Sequence, residues 1–350
     1  KVLMKGNEAI GEAAIRAGCR YFFGYPITPQ SELPAYLSRH LPKVGGVYLQ
    51  AESEIAASNM VYGAAGAGAR VMTSSSGPGI SLKAEGISYM AGAELPAVIV
   101  NIMRGGPGLG SIQPSQADYF QATKGMAHGD FHLPVLAPSS VQEAVDLTRE
   151  AFEIADNYRN PVLILGDGII GQMMEPVEFS EPVDPEDLPA KPWATDGAKG
   201  REKNLINSLA LAPEDLEQHN WNLKEKYDRM REREVRYQSV DLEQAEIVII
   251  AYGTTARIAS SALEMAREEG LKVGMIRPIS LFPFPYQVIQ ETAARVERLL
   301  VVEMSTGQMV EDVQLAVRGE TPIHFQGSPG GMVPTPETIL EKLREIGGAE

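Results

Sequence analysis

The stretch Tyr21-Phe22-Phe23-Gly24-Tyr25-Pro26-Ile27-Thr28-Pro29 joins a short apolar run to a loop that contains two prolines. The apolar run predicts a β-strand. The prolines fix backbone angles and remove amide donors, which makes the loop rigid. Open α/β sheets bind ligands at the carboxyl ends of their strands, so this loop is a candidate ligand site in which Thr28 offers a hydroxyl. The alternative is a tight turn that only directs the chain into the next helix.

The rest of the first half repeats the same alternation. Apolar runs of strand length alternate with segments of helical period, which is typical of βαβ units and a parallel sheet. Further strands are predicted at residues 47–49, 70–73, 97–103, 134–136 and 162–165. Helices are predicted at residues 7–16, 52–67, 80–91 and 141–157. These elements together predict a first domain over residues 1–175.

The composition changes after residue 175, where proline and acidic residues give way to a highly charged stretch. We interpret residues 176–243 as a charged linker, in which 214–236 is either a surface helix or a helix ordered only against a partner. A second α/β pattern fills residues 244–350. Its predicted strands are 246–251, 271–276, 298–303 and 322–325, and its predicted helices are 256–269 and 335–346. The predicted fold is α/β, with two domains whose sheets are mostly parallel.

Charge and cysteine content limit the classes of function. The formal net charge is -15 over 350 residues, and Cys19 is the single cysteine. Such a surface repels phosphate backbones, so we expect no nucleic-acid partner. One cysteine excludes an iron–sulfur cluster bound by several thiolates of this chain, and Cys19 is expected to be a buried structural thiol. Because no apolar stretch approaches the ~20 residues of a membrane span and no secretory signal is recognised, we expect a cytoplasmic protein without a membrane partner.

Two further stretches combine a predicted helix start with polar side chains. In Glu-Ser-Glu-Ile-Ala-Ala at 52–57, acidic residues complement the helix dipole, which accounts for at least one of Glu52 and Glu54. The other glutamate is a candidate carboxylate facing a cofactor. The run Thr-Ser-Ser-Ser-Gly-Pro-Gly at 73–79 can hold an anion at a helix N-terminus, although helix caps favour the same residues. It lacks the Gly-Lys-Ser/Thr ending of a P-loop.

Arg104 follows the most apolar predicted strand and precedes two glycines. A guanidinium at the carboxyl end of a strand suits bidentate binding of a carboxylate, and the alternative is a structural salt bridge. No His or Cys spacing typical of a zinc site occurs, so no metal ligand is predicted in this chain. The loop at 24–29 also lacks the Gly-x-Gly-x-x-Gly turn that a nicotinamide-dependent dehydrogenase needs.

Six motifs occur in an order that resembles a known family. They are Gly-Tyr-Pro-Ile-Thr-Pro at 24–29, Glu-Ile-Ala-Ala at 54–57, Ser-Gly-Pro-Gly at 76–79, Arg-Gly-Gly-Pro at 104–107, Arg-Pro-Ile-Ser-Leu-Phe-Pro-Phe-Pro at 277–285 and Val-Glu-Met-Ser-Thr-Gly-Gln-Met at 302–309. In this order they resemble the alpha subunits of the 2-oxoacid:ferredoxin oxidoreductases, and the resemblance covers nearly the whole chain. Gly-Gly-Met-Val-Pro-Thr-Pro-Glu at 330–337 resembles the branched-chain 2-oxoacid branch of that family.

The resemblance implies a fold and a role for each motif. The first domain resembles the pyrimidine-binding fold of thiamine diphosphate enzymes, and the second resembles the transketolase C-terminal domain. Glu54 matches the catalytic glutamate that hydrogen-bonds the aminopyrimidine ring of the cofactor, while Thr28 and Arg104 match residues that bind the substrate carboxylate. The residues implied in cofactor binding are Tyr25, Pro26, Ile27, Glu54, Ser76 and Gly77. Gly-Asp-Gly at 166–168 resembles the start of the motif for diphosphate and magnesium, but the closing Asn pair is missing, so we interpret it as a turn.

The implied activity is CoA-dependent oxidative decarboxylation of a 2-oxoacid to an acyl-CoA and CO2, with reduction of ferredoxin. Substrates of the 3-methyl-2-oxobutanoate or 2-oxoglutarate type are favoured, and the alternatives are a pyruvate-specific member or a catalytically silent assembly subunit. A beta subunit would share the thiamine diphosphate and hold its diphosphate and Mg2+. A gamma subunit and a ferredoxin-like delta subunit would complete the complex, and iron–sulfur clusters would lie on the partner subunits. Gly-Leu-Gly at 108–110 replaces the Ser-Thr-Gly of many relatives, so we expect a pocket wall of different size or flexibility.

Overall fold

The computed structural model describes residues 1–319 and 321–348, and its strands form three sheets. The strands are β1 (Val2–Lys5), β2 (Tyr21–Gly24), β3 (Val47–Gln50), β4 (Val71–Ser75), β5 (Ala97–Met103), β6 (Val135–Leu136), β7 (Pro161–Asp167), β8 (Met174–Val177), β9 (Tyr237–Val240), β10 (Ile247–Ile250), β11 (Val273–Pro278), β12 (Ser280–Phe282), β13 (Arg298–Glu303) and β14 (Ile323–Gly327). The strands predicted from the sequence are confirmed, with ends that move by a few residues.

The predicted helices are confirmed in the same way. The helices are α1 (Gly6–Arg16), α2 (Glu32–His40), α3 (Glu54–Gly66), α4 (Pro78–Gly92), α5 (Tyr119–Thr123), α6 (Val141–Tyr158), α7 (Gly168–Gln172), α8 (Pro213–Arg233), α9 (Gly253–Glu268), α10 (Tyr286–Ala293), α11 (Met309–Val317) and α12 (Pro336–Gly347). In the described part of the chain, no helix has both the length and the apolar character that crossing a membrane requires.

The larger sheet has the strand order β12-β6-β7-β5-β4-β2-β3. Strands β2 to β7 run parallel, and β12 pairs antiparallel with β6 at one edge. Every residue of β5 and β7 is buried, because helices cover both faces of the sheet. This double burial explains why the strand sequences are continuously apolar rather than alternating.

The second sheet has the order β14-β13-β10-β11-β9, with β9 antiparallel to its neighbour. Two strands cross between the halves of the chain. β9 precedes residue 244 but joins the second sheet, whereas β12 follows residue 244 but joins the larger sheet. Each half of the chain therefore contributes one strand to the sheet of the other half, which no local sequence pattern predicts.

Polar contacts reinforce this junction. Arg277 of β11 donates to both carboxylate oxygens of Glu143 on α6, at 2.8 and 2.9 Å. The buried side chain of Gln116 donates to the carbonyl of Tyr252 at 2.8 Å and accepts from the amide of Met304 at 3.0 Å. The motif at 277–285 thus contributes a bidentate ion pair between the two halves.

The charged segment at 214–236 forms α8, which packs against its own chain. Leu223, Tyr227 and Met230 are buried on one side of the helix and contact Phe131 and Tyr158. Of the two alternatives for this segment, the surface helix is therefore the one that the structure supports. Only one side of α8 is buried and the opposite face is exposed to solvent, so the helix needs only a narrow apolar stripe.

Candidate functional site

Four neighbouring strands of the larger sheet end at the predicted site. Strands β5, β4, β2 and β3 lie side by side and parallel, so their carboxyl ends share one edge. Arg104 follows β5, Ser76 and Gly77 follow β4, residues 25–28 follow β2, and Glu54 follows β3 after a short connection. The fold therefore brings the predicted residues, which are spread over 80 positions of sequence, to one edge of one sheet.

Hydrogen bonds from side-chain amides fix the position of the loop after β2. Gln30 is fully buried, and its Oε1 accepts a hydrogen bond from the Ser74 hydroxyl at 2.5 Å. The amides of Asn7 and Gln172 both donate to the carbonyl of Pro29, at 2.9 and 3.0 Å. These contacts leave the loop in a fixed position, in agreement with the rigidity that its prolines predict.

The same loop presents its side chains to different environments. Thr28 and Pro26 are exposed, whereas Tyr25 and Ile27 are half-buried. The carbonyl of Thr28 accepts a hydrogen bond from Nη1 of Arg104 at 3.0 Å, so the loop is joined directly to the residue that follows β5. The Thr28 hydroxyl makes no hydrogen bond with the described residues and remains available at the surface of the site.

Glu54 is the first residue of α3. Ser53 caps this helix, and its hydroxyl accepts a hydrogen bond from the amide of Ala56 at 3.1 Å. Glu52 is exposed, as expected for an acid that only complements the helix dipole, whereas Glu54 is 6% exposed. The Glu54 carboxylate forms no hydrogen bond or salt bridge with the described residues, which is rare for a buried acid. Burial therefore favours Glu54 over Glu52 as the functional carboxylate.

Helix α4 approaches Glu54 closely because Gly79 has no side chain. A Cβ atom at Gly79 would lie 2.1 Å from Oγ of Ser75 and 2.8 Å from Oε1 of Glu54. Gly77, the cap residue of α4, has a φ of 41°, a backbone conformation that favours glycine. A Cβ atom at Gly77 would lie 3.7 Å from Cγ of Arg104. The two glycines thus leave room for the side chains of Glu54 and Arg104.

Arg104 is 8% exposed and is held by backbone carbonyls. Nη1 donates to Thr28, Nη2 donates to the carbonyl of Leu109 at 3.2 Å, and Nε is buried without an acceptor in the described part of the chain. No salt bridge joins Arg104 to any described residue, so the structure does not support the alternative in which Arg104 forms a structural salt bridge. The guanidinium keeps the Nε–H and one further N–H on each terminal nitrogen for a ligand.

Two polar residues near the site were not identified from the sequence. Asp118 accepts a hydrogen bond from the amide of Asn101 at 2.9 Å. Burial raises the pKa of Asp118, while this hydrogen bond and the charge of Arg104 act in the opposite direction. Lys83 lies on α4 and is fully buried, and burial lowers its pKa while the charge of Glu54 acts in the opposite direction. A lone Asp and a lone Lys carry no motif, so neither residue has a signal that sequence reasoning could use.

The interpretation of Gly-Asp-Gly at 166–168 as a turn needs correction. Asp167 ends β7 and caps α7, and its Oδ1 accepts hydrogen bonds from the amides of Ile169 and Ile170 at 2.9 and 3.2 Å. Glu303 in the motif at 302–309 accepts hydrogen bonds from three backbone amides at the start of α11. Both acids therefore stabilise helix N-termini within this chain.

Other features lie away from this edge. A cavity of about 820 Å3 is lined by Lys124, Tyr286, Asp312 and residues 281–285, and contains none of the predicted site residues.

Cys19 is buried, and burial raises its pKa to about 12, in agreement with a structural thiol. Among residues 1–319 and 321–348, no group of three or more His, Cys, Asp or Glu side chains is arranged to hold a metal ion.

Family models match almost the whole chain. Residues 12–241 match the family described as pyruvate flavodoxin/ferredoxin oxidoreductase, thiamine diP-bdg, and residues 245–339 match pyruvate:ferredoxin oxidoreductase core domain II. The chain therefore belongs to this family of oxidoreductases, whose N-terminal part is a thiamine diphosphate-binding domain. The resemblance carried by the six motifs is confirmed.

Individual relatives agree with this membership. The ketoisovalerate oxidoreductase subunit VorB of Methanothermobacter thermautotrophicus is 54% identical over 99% of this chain and 98% of the relative. The 2-oxoglutarate synthase subunit KorA of the same organism is 38% identical over 98% of each chain. The family members are thus named as subunits, which implies that this chain also acts with partner subunits.

Two solved structures resemble the fold. One is a 2-oxoglutarate:ferredoxin oxidoreductase from Magnetococcus marinus with 2-oxoglutarate, coenzyme A and succinyl-CoA bound, which has a TM-score of 0.86 and 28% identity. The match covers 98% of this chain and 65% of that one. The other is a split gene transketolase, an inactive beta4 tetramer, with a TM-score of 0.62 and 14% identity, which shows the fold alone. The predicted fold class is confirmed.

The close approach of α3 and α4 leads to a prediction about stability. Gly79→Ala places a methyl group against Ser75 and Glu54, so we expect the free energy of unfolding to fall by about 1–3 kcal/mol. Gly63→Ala is the matched control, because Gly63 lies on an exposed part of α3 with no atom within 4 Å of its Cβ position. This control should leave stability unchanged or raise it by about 0.5–1 kcal/mol. Urea denaturation followed by circular dichroism measures both changes, and equal effects at the two positions would contradict the packing argument.

Proposed function

We propose that this chain supplies the pyrimidine side of a thiamine diphosphate site in an enzyme that oxidatively decarboxylates a 2-oxoacid to an acyl-CoA and CO2. Ferredoxin takes the electrons, and coenzyme A is the co-substrate. The observation that carries the proposal concerns Glu54. The residue is almost fully buried, and its carboxylate makes no hydrogen bond or salt bridge with the described residues. Such a carboxylate is suited to hold a proton on a ring nitrogen of a ligand. Thiamine diphosphate, when bound, supplies the carbanion chemistry that decarboxylation needs.

The groups around Glu54 fit the ring of an organic cofactor. The hydroxyls of Ser75 and Ser76 are buried and have no hydrogen-bond partner among the described residues. Buried polar atoms are nearly always hydrogen-bonded in a complete assembly, so these hydroxyls support a ligand at this edge. Gly77 and Gly79 allow such a ligand to approach the backbone. The residues assigned to the cofactor are Tyr25, Pro26, Ile27, Glu54, Ser76 and Gly77.

Arg104 and Thr28 are assigned to the carboxylate of the substrate. A 2-oxoacid is a small anion, and a protein with a net charge of -15 must supply local positive charge to bind it. The Arg104 guanidinium is buried, has no carboxylate partner among the described residues and keeps unused N–H groups. The exposed Thr28 hydroxyl lies on the loop whose carbonyl Arg104 contacts, so both groups can face one ligand. This pairing orients the substrate and leaves Glu54 to the cofactor.

The apolar, uncharged character of the loop that follows Arg104 supports a branched-chain substrate, 3-methyl-2-oxobutanoate. Leu109 and Ile112 are 85% and 57% exposed beside Arg104, and residues 105–123 contain no Lys or Arg. The second carboxylate of 2-oxoglutarate would need a second cation, which this segment does not offer. The 54% identity with a ketoisovalerate oxidoreductase subunit points the same way.

Partner subunits complete the proposed site. A beta subunit holds the diphosphate and Mg2+, and a gamma subunit and a ferredoxin-like delta subunit belong to the same complex, with the iron–sulfur clusters on the partners. Because this chain has a single cysteine, the iron–sulfur clusters are assigned to partner subunits. Because Asp167 is used as a helix cap in this chain, Mg2+ is also assigned to a partner. Ile55 and Leu82 are 50% and 49% exposed, immediately next in sequence to the buried Glu54 and Lys83. Such exposed apolar side chains beside an open site are typical of an interface.

The catalytic role of Glu54 is tested by Glu54→Gln in the assembled complex. The amide cannot hold the proton that a carboxylate holds, so we expect turnover of a 2-oxoacid with ferredoxin or a viologen to fall by about 10²–10⁴-fold. Glu52→Gln, an exposed position two residues earlier, is the matched control and should keep full activity. Gel filtration checks that both variants assemble. Near wild-type turnover of Glu54→Gln would favour a catalytically silent assembly subunit.

The role of Arg104 is tested by Arg104→Lys. Lysine keeps the charge but loses the planar fork, so we expect KM for the 2-oxoacid to rise by roughly tenfold with a smaller change in kcat. Arg39→Lys, on the exposed end of α2, is the control. Steady-state kinetics at several 2-oxoacid concentrations separate the two constants, and an unchanged KM would remove Arg104 from the substrate site.

The substrate assignment is tested by a panel of 2-oxoacids with the purified complex. We expect kcat/KM for 3-methyl-2-oxobutanoate to exceed that for 2-oxoglutarate by at least about 10-fold, because the second carboxylate would be buried without a counter-charge from residues 105–123. Pyruvate serves as the control for a small side chain. A preference for 2-oxoglutarate would contradict this substrate assignment.

A further inference from the structure

Lys83 occupies the interface between α3 and α4. Gly79, Lys83 and Gly86 lie on one face of α4, because residues four and seven positions apart share a helix face. A Cβ atom at Gly79 would lie 2.8 Å from Oε1 of Glu54, and one at Gly86 would lie 2.5 Å from Oγ of Ser58. Glu54 and Ser58 in turn share a face of α3. The side chain of Lys83 therefore enters the interface at the level between Glu54 and Ser58.

The amine of Lys83 has no partner in the described part of the chain. Lys83 is fully buried, and its Nζ atom is inaccessible and makes neither a hydrogen bond nor a salt bridge there. Burial lowers the pKa of Lys83 to about 8, and the negative charge of Glu54 acts in the opposite direction. An apolar side chain such as Met would fill the same space without the cost of desolvating an amine. A buried lysine here therefore calls for a role besides packing.

We propose that Lys83 is a positioning residue, whose buried ammonium attracts the Glu54 carboxylate and keeps it directed towards the cofactor. This inference rests on the proposed function of Glu54. Charges are poorly screened between packed helices, so a cation in this interface attracts a neighbouring carboxylate. No salt bridge within 4.0 Å joins the two side chains, which leaves both carboxylate oxygens free for a ligand. The ammonium thus stabilises the charge of Glu54 without using its hydrogen-bonding capacity.

The test uses Lys83→Met in the assembled complex. Without the neighbouring positive charge the Glu54 carboxylate is less firmly oriented, so we expect kcat to fall by roughly tenfold while KM for the 2-oxoacid stays within about twofold. The Kd of thiamine diphosphate, measured by calorimetry with complex stripped of cofactor, should rise by at least about fivefold. The thermal unfolding midpoint of that stripped complex should change little, because the removal of a desolvated amine and the loss of its attraction to Glu54 act in opposite directions. A role in packing alone would lower this midpoint instead.

A buried lysine elsewhere provides the matched control. Lys226 on α8 is 3% exposed, and its Nζ atom donates to Oε2 of Glu94 at 3.2 Å. Lys226→Met should lower the unfolding midpoint, because it leaves Glu94 without its partner, and should leave the Kd of thiamine diphosphate unchanged. If Lys83→Met does not assemble, Lys83→Gln keeps a polar side chain without the charge and is judged by the same measurements.

A double-mutant cycle separates this inference from the proposed function. In a Glu54→Gln background, Lys83→Met should cause no further change in kcat or in the Kd of thiamine diphosphate, because Lys83 acts through Glu54. Unchanged constants in the single Lys83→Met variant, or a fully additive loss in the double variant, would overturn the role of Lys83 and leave that of Glu54 intact. Full activity of Glu54→Gln would instead refute the proposed function.

Discussion

The packing of α3 against α4 at Gly79 is the contact on which the geometry of the site depends. The backbone of Gly79 lies so close to Glu54 that even a methyl group would meet its carboxylate. This contact buries most of the Glu54 residue, and α3 begins at the same residue, so the carboxylate is placed by a rigid element rather than by a loop. The close-packed helices thus hold the Glu54 carboxylate in place although no side chain of the described residues pairs it.

The parallel sheet determines which side chains can meet Glu54. Because β5, β4, β2 and β3 are neighbours, the loops that follow them reach the same edge, and Arg104 is joined to the Thr28 loop by a hydrogen bond across that edge. The second half of the chain contributes to this arrangement indirectly. Gln116 and Glu143, which both follow the site residues in sequence, are fixed by contacts with residues 252, 304 and 277. Motifs in the second half therefore stabilise the position of the first half.

The sequence predicts those features that depend on local pattern. Strand β5 is predicted in full because both of its faces are buried, and the loop at 24–29 is predicted as rigid because of its prolines. Strand β12 has three residues, and its pairing with β6 depends on how the two halves meet, which no local pattern encodes. The predicted site residues do lie at one edge. The carbonyl contacts of Arg104 and the burial of Lys83 could not be predicted, because both depend on packing between segments distant in sequence.

The open side of the site has a thermodynamic consequence. Glu54 and Arg104 are buried, yet Thr28, Ile55 and Leu109 are exposed around them, so this chain covers the site on one side only. On the proposed function, the cofactor lies between this edge and a partner subunit, and it contacts both. A ligand that binds an interface stabilises the assembled state over the separate chains by its binding free energy. Cofactor binding and subunit assembly are then linked. A substitution at Glu54 that lowers the affinity for the cofactor also lowers the stability of the assembled complex whenever the cofactor concentration is close to its Kd.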